Sequence, residues 1–188
     1  MNIGLTLLPL LLAAPAWAGT YYVSTSGSDS NPGTQSAPWK TISKAAATMV
    51  AGDTTMVQDG VYNEGAISFG NSGTASAPIT LKAQNKHAAV LNSNSGCVPN
   101  IGISASYVVI DGMRINSVGS CSAPNSASGT GVRCWEQHPP LAAGPTDTGW
   151  VGCVVRNCYI VSNASSGHAV KTNQDFAIVE NNIAYGGL

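Results

Sequence analysis

The chain has 188 residues, a formal net charge of −1 and only 9% charged residues. This length is that of one ordinary domain. So sparse and balanced a charge offers no basic patch for nucleic acid and no polybasic stretch for a membrane surface, and we predict neither partner. The 21 glycines, together with many Ser, Thr and Asn residues, are typical of β proteins rich in turns.

The chain begins with a short apolar run over residues 5–14, which is too short to span a bilayer. Ala16 and Ala18 follow it at the positions where signal peptidase requires small residues. The alternative is a buried apolar strand or helix. The abrupt change to polar sequence after Ala18 favours a signal peptide over residues 1–18, so we expect a secreted or periplasmic protein.

One helix is predicted, over residues 39–50, after a strand at 21–23 and a loop at 24–38. Its apolar residues recur at spacings of three and four, which places them on one face. These residues are Ile42, Ala45, Ala46 and Met49. Thr41 suits the N-cap and Gly52 suits the position after the helix. Residues 19–52 are therefore expected to form an N-terminal unit of strand, loop and capping helix.

Beyond Gly52 the sequence consists of short apolar runs separated by turn residues. Five runs align when residues 60, 83, 112, 157 and 181 are superimposed, at separations of 23, 29, 45 and 24 residues. A repeat in the low twenties is the size of one solenoid coil. The interval of 45 indicates either two coils, with an extra one near residues 131–135, or one coil with a long insertion at about 117–149.

The aligned columns fit the strands of a parallel solenoid. The superimposed column holds Gly60, Ala83, Gly112, Asn157 and Asn181. Gly and Asn tolerate the left-handed backbone of a tight corner. The preceding column is entirely charged, namely Asp59, Lys82, Asp111, Arg156 and Glu180. The column before that one is mostly branched and apolar. Because neighbouring side chains in a strand point to opposite faces, the apolar column is expected inside and the charged column outside.

The predicted helix would cover the first end of this solenoid, as terminal caps do in repeat proteins. No second cap follows the last apolar run before residue 188, so we expect the natural protein to continue beyond it. Residues 53–188 are thus predicted to be parallel coils of a solenoid that is truncated at its C-terminal end.

The start of the predicted mature chain resembles that of many secreted right-handed β-helix proteins. The resemblance is carried by YYVSTSGSDSNPGT at residues 21–34, PWKTISKA at 38–45, Gly52-Asp53-Thr54 and Gly60-Val61-Tyr62. This module is shared by pectate-lyase-like and by chondroitinase- or alginate-lyase-like enzymes. The resemblance implies an all-β fold, a right-handed parallel β-helix with a short N-terminal capping helix, and a polysaccharide as ligand. It also implies catalytic residues on later coils: calcium-binding aspartates with a Lys in one group, a Lys–Arg pair in the other.

Lyases of acidic polysaccharides remove the proton beside a uronate carboxylate, which calcium or basic side chains must neutralise. A Lys, Arg or His takes the proton. His168 and Lys171 are our candidates for this base, and Lys171 would point outward if Val170 points inward. The alternative is an exposed Lys and a corner His with no role. Calcium is the candidate cofactor, although the metal ligands are left unassigned.

The candidate substrate-binding residues fall into two groups. Asp111, Arg156 and Glu180 share the outward column, where the alternative is a solvated ladder of opposite charges. Trp135 and Trp150 belong to the long insertion and could stack on sugar rings, or else pack the loop onto the coil. Glu136 and Asp147 flank the same loop, which leaves a glycoside hydrolase open.

These observations predict a secreted, monomeric protein that acts on a uronic-acid polysaccharide by β-elimination. The alternative is a non-catalytic carbohydrate-binding or adhesive scaffold. The five cysteines, Cys97, Cys121, Cys134, Cys153 and Cys158, match no zinc pattern. Their odd count leaves at least one unpaired. We expect one or two loop disulfides and a buried free thiol, with Cys97, Cys121 and Cys134 favoured as partners because their sequence is loop-like.

Overall fold

The computed structural model describes residues 18–93, 99–117, 131–134, 151–162, 170–172 and 177–185. The predicted signal peptide, apart from Ala18, lies outside these residues and stays a prediction. The described elements are, in chain order, β1 (Thr20–Val23), α1 (Ile42–Thr48), β2 (Thr54–Val57), β3 (Gly60–Glu64), β4 (Ile67–Phe69), β5 (Ile79–Ala83), β6 (Ala89–Ser93), β7 (Ile101–Ile103), β8 (Val108–Asp111), β9 (Arg114–Ser117), β10 (Val132–Cys134), β11 (Val154–Arg156), β12 (Tyr159–Ser162), β13 (Val170–Thr172), β14 (Ile178–Glu180) and β15 (Ile183–Tyr185).

The strands form three sheets in which all strand pairs are parallel. Sheet A has the order β1-β2-β5-β8-β11-β14, sheet B has β3-β6-β9-β12-β15, and sheet C has β4-β7-β10-β13. From β2 onward the chain visits A, B and C in turn and then returns to A one position further along. Each such circuit is one coil that stacks on the last. The predicted all-β parallel β-helix is therefore confirmed.

The core is a set of apolar columns inside the three sheets. In sheet A, Leu81, Ile110 and Val155 are paired in register on successive coils, and all three are fully buried. The residues after them, Lys82, Asp111 and Arg156, form the outward column. This is the alignment that the sequence predicted for the coils from β5 onward.

The predicted alignment of the first run is wrong by three residues. Thr55 pairs with Leu81 and Met56 pairs with Lys82, whereas Gln58 and Asp59 had been assigned to those positions. Residues 58–59 instead form the corner between β2 and β3. The inward positions of β2 are Thr55 and Val57, both fully buried, because a Gln or Asp at those positions would place an unpaired polar group in the core.

The interval of 45 residues is one coil and does not contain a second. Its three strands are β9 in sheet B, β10 in sheet C and β11 in sheet A. The segment near residues 131–135 therefore completes a coil rather than adding one. It also divides the predicted insertion at 117–149 into two connections, one on each side of β10.

The helix α1 covers the first coil but is shorter than the predicted 39–50. Thr41 is its N-cap, as predicted, and its side-chain oxygen accepts a hydrogen bond from the Lys44 amide. The predicted face is buried in the core. Trp39 lies outside the helix because its backbone pairs with Val23 in a parallel bridge, which extends the chain up to the N-cap.

Residues that carry the family resemblance build this cap together with Glu64. Asp29 accepts hydrogen bonds from the Lys40 and Thr41 amides and from the Thr41 hydroxyl. Glu64 accepts from the Ile42 and Ser43 amides and from the Ser43 hydroxyl. The two carboxylates thus satisfy the donors that a helix N-terminus leaves unpaired. The signature is structural, which is why it indicates a fold more strongly than a reaction.

We expect Asp29 to make stability depend on pH. Burial raises the pKa of its carboxyl, but the hydrogen bonds from Thr41 and Lys40 outweigh burial and hold the pKa below its ordinary value. A depressed folded-state pKa adds stability above the unfolded-state pKa of about 4, and that stability is lost as the pH falls through the folded-state value. Asp29→Asn should therefore lower the melting temperature at pH 7 and lower it less under strongly acidic conditions.

The matched control is Asp59→Asn. Asp59 is exposed and receives a side-chain hydrogen bond from Asn85 at a corner far from the helix N-terminus. Thermal unfolding of both variants across the acidic range tests the assignment. An Asp29→Asn curve that runs parallel to the wild-type curve at every pH would contradict it.

The cysteines partly follow the prediction. Cys134 forms a disulfide with Cys153, just before β11, and Cys158 is a buried free thiol. Burial raises the pKa of Cys158 to about 11, so the thiol stays protonated at neutral pH. Cys134 is not in a loop: it is buried in β10, in register with Ile103, where its sulfur takes the place of an apolar side chain. Cys97 and Cys121 lie outside the described residues.

Candidate active site

The connections between sheets identify the face that can carry a site. Four of the five described A-to-B connections contain only two residues, at 58–59, 112–113, 157–158 and 181–182. The segment that enters β4 is equally short, at 65–66, but most other chain segments before and after sheet C are longer, and those on the two sides of β10 reach residues 118–131 and 135–153. Long loops on a rigid solenoid commonly carry function. Sheet C is therefore the face to search.

The outward positions of sheet C form one column of four residues. Ser68, Gly102, Arg133 and Lys171 are in register on β4, β7, β10 and β13. In the first three strands the flanking side chains are buried, so the middle residue faces out. In β13, Val170 packs against the core. Lys171 therefore faces outward, as the sequence predicted for the case in which Val170 points inward.

Arg133 and Lys171 are therefore direct neighbours across two parallel strands. Such strands lie about 4.8 Å apart, which brings a guanidinium and an ammonium within reach of one bound anion. Both side chains are partly buried. Burial lowers the pKa of Arg133, but a guanidinium still keeps its charge at any ordinary pH. Gly102, on the other side of Arg133, has no side chain and is buried.

The predicted substrate-binding residues Asp111, Arg156 and Glu180 lie together, but on sheet A. The structure does not bring them beside Lys171, because sheets A and C are different walls of the solenoid. His168, Trp135 and Trp150 lie outside the described residues, as do Glu136 and Asp147. Their assigned roles stay predictions.

Asp111 and Arg156 form an ion pair between opposite charges of the outward column, but Asp111 is buried and not solvated as the alternative interpretation expected. Nε and Nη2 of Arg156 each lie 3.1 Å from Asp111 Oδ2, and Asn157 Nδ2 donates to Asp111 Oδ1 at 2.8 Å. Both carboxylate oxygens are thus engaged within the protein. Asp111 is buried although it belongs to the outward column, because these two side chains cover it.

Sequence reasoning missed Arg133 as a site residue. The signal was present: Val132-Arg133-Cys134 and Val170-Lys171-Thr172 both place a cation after a valine that faces the core. Among the described residues, no group of three or more His, Cys, Asp or Glu side chains could hold a metal ion. No helix in the described ranges is long and apolar enough to cross a membrane.

Comparison with known proteins places this fold in a family. A family model described as the Pel9A-like, right handed beta helix region matches residues 21–139. The uncharacterized protein YwoF of Bacillus subtilis (strain 168) is 31% identical over 128 residues, which are 64% of this chain and 27% of YwoF. The chain thus spans about a quarter of the length of that relative.

Two solved structures share the architecture. Pectate lyase Pel9A matches with a TM-score of 0.55 and 19% identity, over 79% of this chain and 34% of the lyase. A pectin methylesterase in complex with a hexasaccharide matches with a TM-score of 0.54 and 16% identity, over 87% of this chain and 48% of the esterase. At such identities the likeness shows the fold. Since the family model covers more than half of the chain, this protein belongs to the Pel9A-like family of right-handed β-helix proteins.

Proposed function

We propose that the protein is an exported polysaccharide lyase that cleaves a uronic-acid polysaccharide by β-elimination on the outward face of sheet C. The observation that carries the proposal is the register of Arg133 and Lys171 on neighbouring strands of that sheet. The fold is shared with a pectate lyase and with a pectin methylesterase, which makes pectate the first substrate to test.

The chemistry requires two functions from the protein. The neutral amine of Lys171 takes the proton from the carbon that bears the uronate carboxylate. The electron pair left behind forms a carbon–carbon double bond to the next ring carbon, and the bond from that carbon to the glycosidic oxygen breaks. The departing oxygen takes a proton from the Lys171 ammonium or from water. The products are an unsaturated sugar end and a new free hydroxyl.

Arg133 has the complementary role. The proton is acidic enough to remove only when the negative charge that develops on the carboxylate is stabilised. A guanidinium can hold a carboxylate through two parallel hydrogen bonds, which both neutralises and orients it. Arg133 on β10 would hold the carboxylate while Lys171 on β13, one strand away, reaches the adjacent carbon.

The composition of the column favours elimination over hydrolysis. A glycoside hydrolase uses two carboxylates on either side of the scissile bond. The described outward positions of sheet C, Ser68, Gly102, Arg133 and Lys171, contain none. A column without carboxylates has no acidic ligand for a cation, so Arg133 is the group that would neutralise the substrate carboxylate. Calcium remains a separate prediction, which the assay below tests by adding or chelating the ion.

The test is incubation of the full-length protein with pectate, alginate or chondroitin sulfate, with calcium or with a chelator. The ultraviolet absorbance of the unsaturated sugar end is followed with time. We expect a steady rise with one of these substrates. Release of methanol from methyl-esterified pectin without that rise would replace the lyase by an esterase. Binding with neither product would favour the non-catalytic scaffold, and Trp135 and Trp150 would then be the residues to test.

A further inference from the structure

A second candidate site lies away from sheet C, at the corner between sheets A and B. A cavity of about 360 Å³ opens there beside the outward column of sheet A. Lys82, Gln84 and Lys86 line it on one side, and Asp111 and Asn157 line it on the other. Its volume falls at the lower end of the range for pockets that bind small molecules. None of the residues that we assign to the reaction contributes to it.

The wall of this cavity is a corner that differs from the others. Residues 84–88 form the one described A-to-B connection with five residues instead of two. His87 fastens it to the next two coils: its amide donates to the Gly112 carbonyl at 2.7 Å, and its Nε2 lies 2.7 Å from the Asn157 carbonyl oxygen. These two hydrogen bonds of His87 fix the position of the neighbouring Lys86 at the corner.

The floor of the cavity exists because the corner column carries small residues at this point. Ala83 and Gly112 occupy the column here, and the next two coils have Asn157 and Asn181. Gly112 has φ +72°, close to the +56° of Asn157 and the +53° of Asn181. The Asn157 side chain turns back to Asp111 and closes its end of the cavity. No equivalent side chain fills the space at Gly112.

The charged side chains that line the cavity favour binding of an anion. Among the described residues, neither Lys82 nor Lys86 lies in an ion pair. The one carboxylate in the lining, Asp111, is already neutralised by Arg156 and bonded to Asn157. The two ammonium groups are therefore available to a bound carboxylate, and the Gln84 amide can serve a hydroxyl group beside it.

We propose that this corner pocket, lined by Lys82, Gln84, Lys86 and Gly112, binds one carboxylate-bearing sugar. The pocket is larger than a simple inorganic anion needs, and it presents the Gln84 amide as well as two cations. It lies on a different wall from Arg133 and Lys171, so a polysaccharide held there would remain tethered while another stretch of chain occupies sheet C. Linking two weak sites in this way raises the effective affinity for a polymer.

The experiment is calorimetric titration of the full-length protein with galacturonate, and with galactose as the neutral sugar of the same shape. We expect galacturonate to bind and galactose not to bind. The double variant Lys82→Gln/Lys86→Gln should weaken binding by about tenfold or more, the size of lost hydrogen bonds to charged groups. Lys40→Gln, which removes an exposed Lys far from the pocket, is the matched control.

A second variant fills the pocket without removing charge. Gly112→Asn introduces the residue that already stands in this column on the next two coils, at nearly the same φ. Its Cβ would meet Ala83 Cβ at 3.6 Å and Lys86 Cα at 3.9 Å, which are ordinary contacts, so the fold should be retained. We expect this variant to lose galacturonate binding while its melting temperature stays close to the wild-type value.

Equal binding of galactose, or unchanged binding in Gly112→Asn, would overturn the inference. So would sulfate that competes as well as galacturonate, because the pocket would then be a simple anion site. Binding lost in Lys171→Ala and retained in the pocket variants would move the ligand to sheet C. Corner binding without elimination activity counts against the lyase alone, and elimination activity without corner binding counts against the corner pocket alone.

Discussion

Lys171→Ala is expected to lower the rate of polysaccharide cleavage by about 100- to 10,000-fold, the contribution of a well-placed general base. Lys171 faces outward from β13, and its loss removes no side chain from the core. The melting temperature should therefore be unchanged. Elimination is followed by ultraviolet absorbance at saturating substrate, so that the measured change is in kcat.

Two further variants separate a base from a mere positive charge. Lys171→Arg keeps the charge, but a guanidinium does not lose its proton at ordinary pH, so this variant should be as inactive as alanine. Arg133→Ala should cost about 100- to 1,000-fold, the scale for removing one group that stabilises developing charge. The control is Lys40→Ala, which lies outside the site. Full activity in Lys171→Ala would remove this residue from the mechanism.

Ile110→Ala is expected to lower the free energy of unfolding by about 2–5 kcal/mol, the cost of truncating a large apolar side chain in a packed core. Ile110 is fully buried and stacks between Leu81 and Val155 on the adjoining coils. Each coil of a solenoid contacts only its neighbours. Neither adjoining coil can therefore move into the space left by the truncated side chain without losing contacts with its own other neighbour.

The control for this variant is Val61→Ala on sheet B. Val61 is 51% exposed. Like Ile110→Ala, the substitution Val61→Ala replaces a β-branched strand residue by alanine, so the change in strand propensity is similar in the two variants. Equilibrium unfolding in urea, with the disulfide kept oxidised, should show a change of about 0.5 kcal/mol or less for Val61→Ala. Equal effects of the two substitutions would mean that the inward column does not carry the stability assigned to it.

The parallel coils were predictable because strand geometry is local. Alternation of apolar and charged residues follows from the period of two, and a corner that needs a left-handed backbone favours Gly or Asn. Asn157 and Asn181 do adopt positive φ. The register of the first run was wrong because Gln58-Asp59-Gly60 also places a charge before a glycine, and local pattern could not distinguish a corner from a strand.

The site was less predictable because it depends on which residues meet across coils. Arg133 and Lys171 are 38 positions apart in the sequence, yet they are neighbours in sheet C. The intervening connections have no fixed length, so counting along the chain cannot align the two strands. Asp111 and Arg156 were correctly placed in one outward column, because each follows an apolar run of the same pattern. The sequence could not show, however, that this column lies on a different sheet from Lys171.

The amino-acid sequence by itself predicted the sheet A strands from β5 onward, their inward and outward faces, and Thr41 as the N-cap, because each follows from local geometry and hydrogen bonding. Only the tertiary structure decided that Asp29 and Glu64 complete the cap of α1. It also decided that Arg133 and Lys171 share a wall, and that Gln84 and Lys86 line a cavity beside Gly112. Stacking of coils sets these contacts, and stacking depends on the packing of the whole core rather than on any one run of sequence.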